Sequence, residues 1–260
     1  MKEAAMKFQD QVVVITGAGR GIGYALAERF TQEGATVVIA EINPQTGQSA
    51  ADAIGAFFLA LDVRDSRAVD AAVETIVARF GRIDVWINNA GVAHKGLAVD
   101  LTDDDWDADI GVILSGAFYC ARAAGKVMLA QGRGCMVNMA SVNGLSAQKA
   151  RAPYCAAKAG LIMLTKVLAS EWGESGVRVN AVAPGVVMTE LVQEGIDQGL
   201  VSEAAYLSRI PMGRFGERSE VVEAVLFLAS DEASFVTGEV LRVDGGWTAY
   251  HLFYPYEKAF

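Results

Sequence analysis

Short apolar runs, mostly β-branched, alternate along this chain with longer segments whose apolar positions recur every three or four residues. The runs cover residues 12–16, 36–40, 56–61, 83–87, 135–139, 177–182 and 240–243. Each is too short for a buried helix, and most are rich in Val and Ile, so each predicts a strand with both faces covered. The longer segments predict helices. Residues 21–33 form the first, and Gly34 closes it where a left-handed residue is usual. In residues 66–80 the apolar positions Val69, Ala72, Val73, Ile76 and Val77 line one helical face. Residues 104–129 and 153–172 are apolar on more than one face, as expected of helices held between layers or between subunits.

This alternation predicts an α/β fold: a Rossmann-like, doubly wound, predominantly parallel seven-stranded sheet with helices on both faces, a three-layer sandwich. No linker, repeat or low-complexity tract divides the chain, so residues 1–260 read as a single domain. Residues 188–214 interrupt the rhythm and read as either a substrate flap or a surface helix pair. The last residues, 247–260, form an aromatic tail that we expect to dock on a subunit interface.

Composition narrows the function classes. With 52% hydrophobic residues and 27 glycines against 5 prolines, the chain is a well-buried protein with many tight turns. Its net charge of −9 repels phosphate backbones, so nucleic acid is not an expected partner. There is no polybasic run and no uncharged stretch of about 20 residues, so no membrane is expected either. Three cysteines at wide spacing read as reduced thiols and suggest the cytoplasm. The two histidines, His94 and His251, lack partners at metal-ligand spacing, and no metal site is expected.

The first candidate site is the turn after the first strand, Thr16-Gly17-Ala18-Gly19-Arg20-Gly21-Ile22-Gly23. Glycines permit a tight turn and close approach of a ligand, and the helix start offers free N–H groups for a pyrophosphate. The spacing is G-x-x-x-G-x-G and differs from the common dinucleotide fingerprint. Glu41 ends the second strand about 20 residues on, where a carboxylate accepts hydrogen bonds from the ribose hydroxyls of NAD. It would repel the extra phosphate of NADP. Arg20 favours that phosphate, but the carboxylate carries more weight, and NAD is the expected cofactor.

The second candidate is chemical. Tyr154 and Lys158 stand at i and i+4, on one face of a helix. A phenol is mostly protonated at neutral pH, and an acid/base works best with a pKa near the working pH. A neighbouring ammonium in a partly dry site favours the phenolate, and an oxidised nicotinamide adds to the effect. Ser141 follows the fifth strand, where ligands meet an open parallel sheet, and its hydroxyl could donate to a substrate oxygen. Taken singly, each feature has an ordinary reading: a solvated pair for Tyr154 and Lys158, a turn cap for Ser141.

Together these residues give the chain a resemblance to the short-chain dehydrogenase/reductase family over nearly its whole length. Gly17, Arg20, Gly21, Ile22 and Gly23 match the family's cofactor turn. Asp62-Val63 matches its adenine-contacting pair, Asn88-Asn89-Ala90-Gly91 a sheet-stabilising segment beside the cofactor, and Pro184-Gly185, with Val187 and Thr189, the segment that holds the nicotinamide carboxamide. The resemblance implies hydride transfer between nicotinamide and an alcohol or ketone. Tyr154 would exchange the proton, Lys158 would bind the nicotinamide ribose and lower the Tyr pKa, and Ser141 would polarise the substrate oxygen. A homotetramer is implied as well. One position departs: Ile113 stands where the family has an Asn that supports a water linking the Lys to solvent. Restoring Asn there should raise turnover or shift its pH dependence. Ser115 is too far round the helix to substitute.

Substrate contacts implied by the resemblance fall on His94, Asn143, Gln148, Arg151 and Val186. Polar Asn143, Gln148 and His94 suit a substrate with several hydroxyls, so a polyol or sugar-type alcohol is the expected substrate. Two other readings stay open: an NADP-dependent ketone or 3-oxoacyl reductase, and a non-catalytic NAD-binding regulatory protein.

Overall fold

In the computed structural model, which describes residues 6–198 and 202–249, Val12–Thr16 forms β1 and is buried from end to end. Its alternating side chains build two cores. Val13 and Ile15 pack with Leu26, Phe30, Val221 and Val225 on one face, whereas Val12 and Val14 pack with Val69, Ile76, Met128 and Trp172 on the other. The remaining strands are β2 (Thr36–Glu41), β3 (Phe57–Ala60), β4 (Val85–Asn88), β5 (Gly134–Met139), β6 (Val177–Pro184) and β7 (Val240–Val243). They form one seven-stranded sheet in the order β3-β2-β1-β4-β5-β6-β7, and each pairing is parallel. The order reverses between β1 and β4, the point where open parallel sheets bind ligands beyond their strand ends.

Helices α1 (Gly21–Gln32), α2 (Pro44–Ile54), α3 (Ser66–Phe80), α4 (Asp103–Ile110), α5 (Gly116–Gln131) and α6 (Ala152–Trp172) follow in chain order. After them come α7 (Glu190–Asp197), α8 (Glu203–Leu207) and α9 (Arg218–Ala229). The start of α2 is well specified: Asn43 accepts from the N–H groups of Gln45 and Thr46 at 3.0 Å each, and Pro44 occupies the first turn. Neither α2 nor α9 is anticipated from the apolar pattern. The expected helix over 104–129 exists, but a π-helical turn, Gly111–Ser115, divides it into α4 and α5. Strand ends move by a residue or two: β4 starts at Val85, and Ile83 lies in the preceding loop, where Gln131 receives its N–H at 3.0 Å.

Segments 103–131 and 152–175 are long and apolar enough to cross a membrane. Here they are core helices, with Cys120, Ala124 and Met128 of α5 and Leu161, Leu168 and Trp172 of α6 buried. The segment after β6 holds the pair α7 and α8. The aromatic tail from residue 250 onward lies outside the described residues. Trp247, where the expected tail begins, is buried against Val142, Ile210 and Phe215.

Candidate active site

The glycine turn joins β1 to α1 under tight geometric constraint. Gly17 has φ +63°, and a Cβ there would meet Ala90 Cα at 2.8 Å. A Cβ on Gly23 would run into the Gly17 carbonyl and lie 2.5 Å from Asn89 Nδ2. The turn is held from β4: Asn89 Nδ2 donates to the carbonyls of Thr16 and Gly17 at 3.0 and 2.9 Å. Thr16 Oγ1 accepts from the N–H groups of Asn89 and Ala90 at 3.0 and 3.1 Å. The Asn-Asn-Ala-Gly segment thus sets the shape of the glycine turn. The first N–H groups of α1 have no carbonyl four residues back, the usual anion-binding feature of a helix start. Glu41 reaches the same turn: its Oε2 accepts from Gly19 N–H at 3.1 Å and its Oε1 from Asn43 N–H at 3.1 Å. Arg20 is exposed beside it.

At the end of β3, Asp62 accepts from the Arg64 guanidinium at 2.7 and 3.0 Å. That hydrogen bond holds the carboxyl below its ordinary range against the opposing effect of burial. On the other side of the switch point, Gly185 donates to the Val243 carbonyl at 2.9 Å, and a Cβ on it would meet Asp244 Cα at 2.9 Å. Val187 bridges to Gly216, and Thr189 caps α7 by accepting from Val192 N–H at 3.3 Å. Expected cofactor residues therefore line the carboxyl ends of β1, β2, β3, β4 and β6.

The three expected chemical residues converge. Ser141 lies two residues beyond β5, is buried, and favours the Tyr154 phenolate. Tyr154 lies in the first turn of α6, with Lys158 Nζ 5.6 Å from its ring centroid and the Arg151 guanidinium carbon at 5.9 Å. Lys158 is buried, and its Nζ donates to the Met139 carbonyl at 2.5 Å. Desolvation pushes Lys158 down to about 8 from an ordinary value of 10.5, with Asp109 opposing the fall. The phenol of Tyr154 is raised: its surface is half-covered, but the atoms packed around it desolvate the phenolate. The groups that pull it down are Ser141 and Arg151. Lys158, expected to do so, is not among the groups that shift it in the free protein, where its ammonium is directed at the Met139 carbonyl.

A buried polar chain that includes Asn88 of the Asn-Asn-Ala-Gly segment supports this corner. Trp86 Nε1 donates to Asn88 Oδ1 at 2.9 Å, and Asn88 Nδ2 to Asn138 Oδ1 at 2.8 Å. Asn138 Nδ2 then donates to Thr165 Oγ1 at 2.9 Å. The chain ties β4 and β5 to α6, and each link is satisfied, so it rigidifies the site.

The expected substrate residues divide into two groups. Asn143 Nδ2 donates to Gln148 Oε1 at 2.6 Å, and Gln148 Nε2 donates to the Tyr206 hydroxyl at 2.8 Å. Tyr206 lies on α8 and packs on Phe215 and Trp247, while Val186 joins the same apolar cluster. This group connects the loop before α6 to the segment after β6. The second group is His94, whose Nδ1 lies 2.7 Å from Asp109 Oδ1. Asp109 is fully buried and is not among the residues expected from sequence, although a carboxylate one helical turn before apolar Ile113 is a readable signal. Ile113 itself is buried with Ala117, Ala157, Leu161 and Tyr154.

Comparison with known proteins agrees with this geometry. The family described as enoyl-(acyl carrier protein) reductase matches residues 17–248. The chain is 40% identical over 247 residues to D-threitol dehydrogenase of Mycolicibacterium smegmatis, covering 93% of this chain and 94% of that protein. It is also 40% identical over 246 residues to a 3-oxoacyl-[acyl-carrier-protein] reductase of Thermotoga maritima, covering 93% and 99%. The crystal structure of gox2181 superposes with a TM-score of 0.91 at 32% identity, covering 95% of this chain and 98% of that one.

Proposed function

The chain belongs to the short-chain dehydrogenase/reductase family of oxidoreductases, and from that premise we propose that it transfers a hydride between NAD and a secondary alcohol or ketone, with a polyol or sugar-type alcohol as substrate. The observation that carries this reading is the convergence of Ser141, Tyr154 and Lys158 beyond β5, beside the reversal of strand order. The glycine turn fits a dinucleotide, because Gly17 and Gly23 let it close tightly against Ala90 and Asn89 and lead straight into the free N–H groups at the start of α1.

Bound NAD would supply the hydride acceptor. Gly17, Arg20, Gly21, Ile22 and Gly23 would hold its pyrophosphate, Glu41 its adenosine ribose, and Asp62 and Val63 its adenine. Asn89, Ala90 and Gly91 would flank it, and Pro184, Gly185, Val187 and Thr189 would receive the carboxamide. Ser141 donates a hydrogen bond to the substrate oxygen. Tyr154, as phenolate, takes the hydroxyl proton while the C–H bond gives up its hydride; as phenol it returns a proton in the reverse direction. The Lys158 ammonium would bind the ribose and would favour the phenolate once a ligand replaces its bond to Met139.

Glu41 supports NAD over NADP, since its carboxylate sits against Gly19, where a 2′-phosphate would meet it. The exposed Arg20 favours the second reading, an NADP-dependent 3-oxoacyl reductase like the Thermotoga maritima relative. A non-catalytic role is disfavoured by the intact Ser141, Tyr154 and Lys158. Exposed Phe118, Met163 and Val167 on α5 and α6 support a homotetramer built across these helices. Free thiols, two of them deep in the core, suit the cytoplasm.

A dehydrogenase screen of polyols, hydroxy acids, cyclic alcohols and 3-hydroxyacyl thioesters with both nucleotides tests this reading. We expect reduction of NAD by a vicinal polyol. Turnover confined to NADP and an acyl thioester would replace it with the second reading.

A further inference from the structure

The loop that leads into α6 carries a strained backbone and an unpaired charge side by side. Ala150 has φ 62°, the left-handed region that a non-glycine residue rarely adopts. Such a conformation persists where its surroundings enforce it, and it clusters at functional positions. Here the loop after β4 enforces it: Gly96 N–H donates to the Ala150 carbonyl at 3.2 Å, and Gly96 bridges to Arg151 in parallel register. Arg151 is thereby fixed three residues before Tyr154. Its guanidinium carbon stands over the Tyr154 ring, 5.9 Å from the centroid.

That guanidinium is half-buried, and among the described residues no carboxylate pairs with it. Arg29, Arg64, Arg82 and Arg214, by contrast, each pair with an acid. Lys95 and Lys149, exposed on the two bridged loops, have no acidic partner among the described residues either. The sequence keeps acids out of this region: residues 92–98 contain no Asp or Glu, and neither do residues 110–170, in a chain whose net charge is −9. Asp105 and Asp109 of α4 are engaged by Thr102 and His94. A cation is thus placed against the proton-exchanging ring and left without a counter-ion.

Resting on the oxidoreductase reading above, we propose that Arg151 is a substrate-binding residue that receives an anionic group, so that the alcohol oxidised here carries a carboxylate or a phosphate: a polyhydroxy acid or a phosphorylated polyol. Arginine offers either group two parallel N–H donors, and stacking on Tyr154 holds that fork in place before a ligand arrives. The reacting oxygen meets the Tyr154 hydroxyl and the anion meets a guanidinium stacked on the same ring, so a short carbon chain spans both. Lys95 and Lys149 add positive potential around Arg151 and draw the anion toward it. The anion takes no part in the hydride and proton steps; it fixes which alcohol is held.

The test uses the protein with bound NADH, so that no hydride can leave the alcohol and binding is read apart from turnover. Calorimetric titration with a hexonate, the matching hexitol and that hexitol's terminal phosphate gives three dissociation constants. One of the anions should bind about tenfold more tightly than the hexitol, the value of a charge-assisted hydrogen bond, and the tighter anion identifies the group. Arg151→Gln should erase this preference. Arg151→Lys, which keeps the charge without the fork, should retain part of it. Thermal melting and NADH affinity check folding. If the parent binds the hexitol as tightly as both anions, or binds neither anion, the inference is overturned. A preference that survives in folded Arg151→Gln overturns it too. Should that variant not fold, Arg151→Met, which keeps the stem beside Tyr154, is held to the same result. Anion preference with no alcohol oxidised would refute the reaction and leave the Arg151 site standing; oxidation with no such preference would do the reverse.

Discussion

The ammonium of Lys158 donates to the carbonyl oxygen of Met139, the last residue of β5, at 2.5 Å. This bond holds the lysine beneath Tyr154 in a desolvated corner and leaves the ring 5.6 Å away. The active site therefore stores an unfavourable charge burial in the folded state.

That burial has a stability consequence. Folding lowers Lys158 from 10.5 to about 8, so between those values the unfolded chain binds more protons. Stability then rises with pH across this window, and the full cost is present below it. Lys158→Met should stabilise the protein at neutral pH by up to roughly 3 kcal/mol, less the lost hydrogen bond, while turnover is lost. Denaturant unfolding at pH 7 and pH 10 checks this; the gain should shrink at the higher pH.

Gly23→Ala should cost about 1–3 kcal/mol and abolish tight nucleotide binding, because the new methyl group meets backbone and Asn89 rather than a movable side-chain end. Melting temperature and NAD titration read the two effects separately.

Glu41→Ala should weaken NAD by about tenfold, the value of a charge-assisted hydrogen bond, while improving NADP. Adding Ile42→Arg at the exposed neighbour should carry the preference over to NADP. Dissociation constants for both nucleotides measure the crossover.

Gln148→Leu breaks the path from Asn143 to Tyr206 and leaves both ends without a partner. KM should rise by about tenfold, with kcat changed much less, because α8 is no longer tied to the loop before α6 while the reacting groups are untouched. Steady-state kinetics on the best substrate from the screen decide it.

The sheet was legible because its strands are buried on both faces: Val12–Thr16 and Val37–Ala40 show nothing but apolar or β-branched residues. Helix α2 escaped notice since its buried positions are Gly47, Ala50 and Ala51, too small to mark a face. The π-helical turn leaves no trace in residue pattern, because one shifted hydrogen bond alters register and not composition. Ser141, Tyr154 and Lys158 could be read from local motifs. Asp109 left one sign in the sequence, a carboxylate one turn before apolar Ile113, but its complete burial comes from α4 packing against α6, a long-range fact. The same holds for Asn138 and Thr165, which look like ordinary polar residues until the fold aligns them with Asn88.

Tyr154 is the proton-exchanging group on which the mechanism rests, and Tyr154→Phe tests that role most directly. This change keeps the ring in its apolar contact with Ile113 and removes only the hydroxyl. Turnover of the substrate found by screening should fall by about 10²–10⁴-fold, with the NAD dissociation constant unchanged within about a factor of three. Turnover at the parent rate would contradict it.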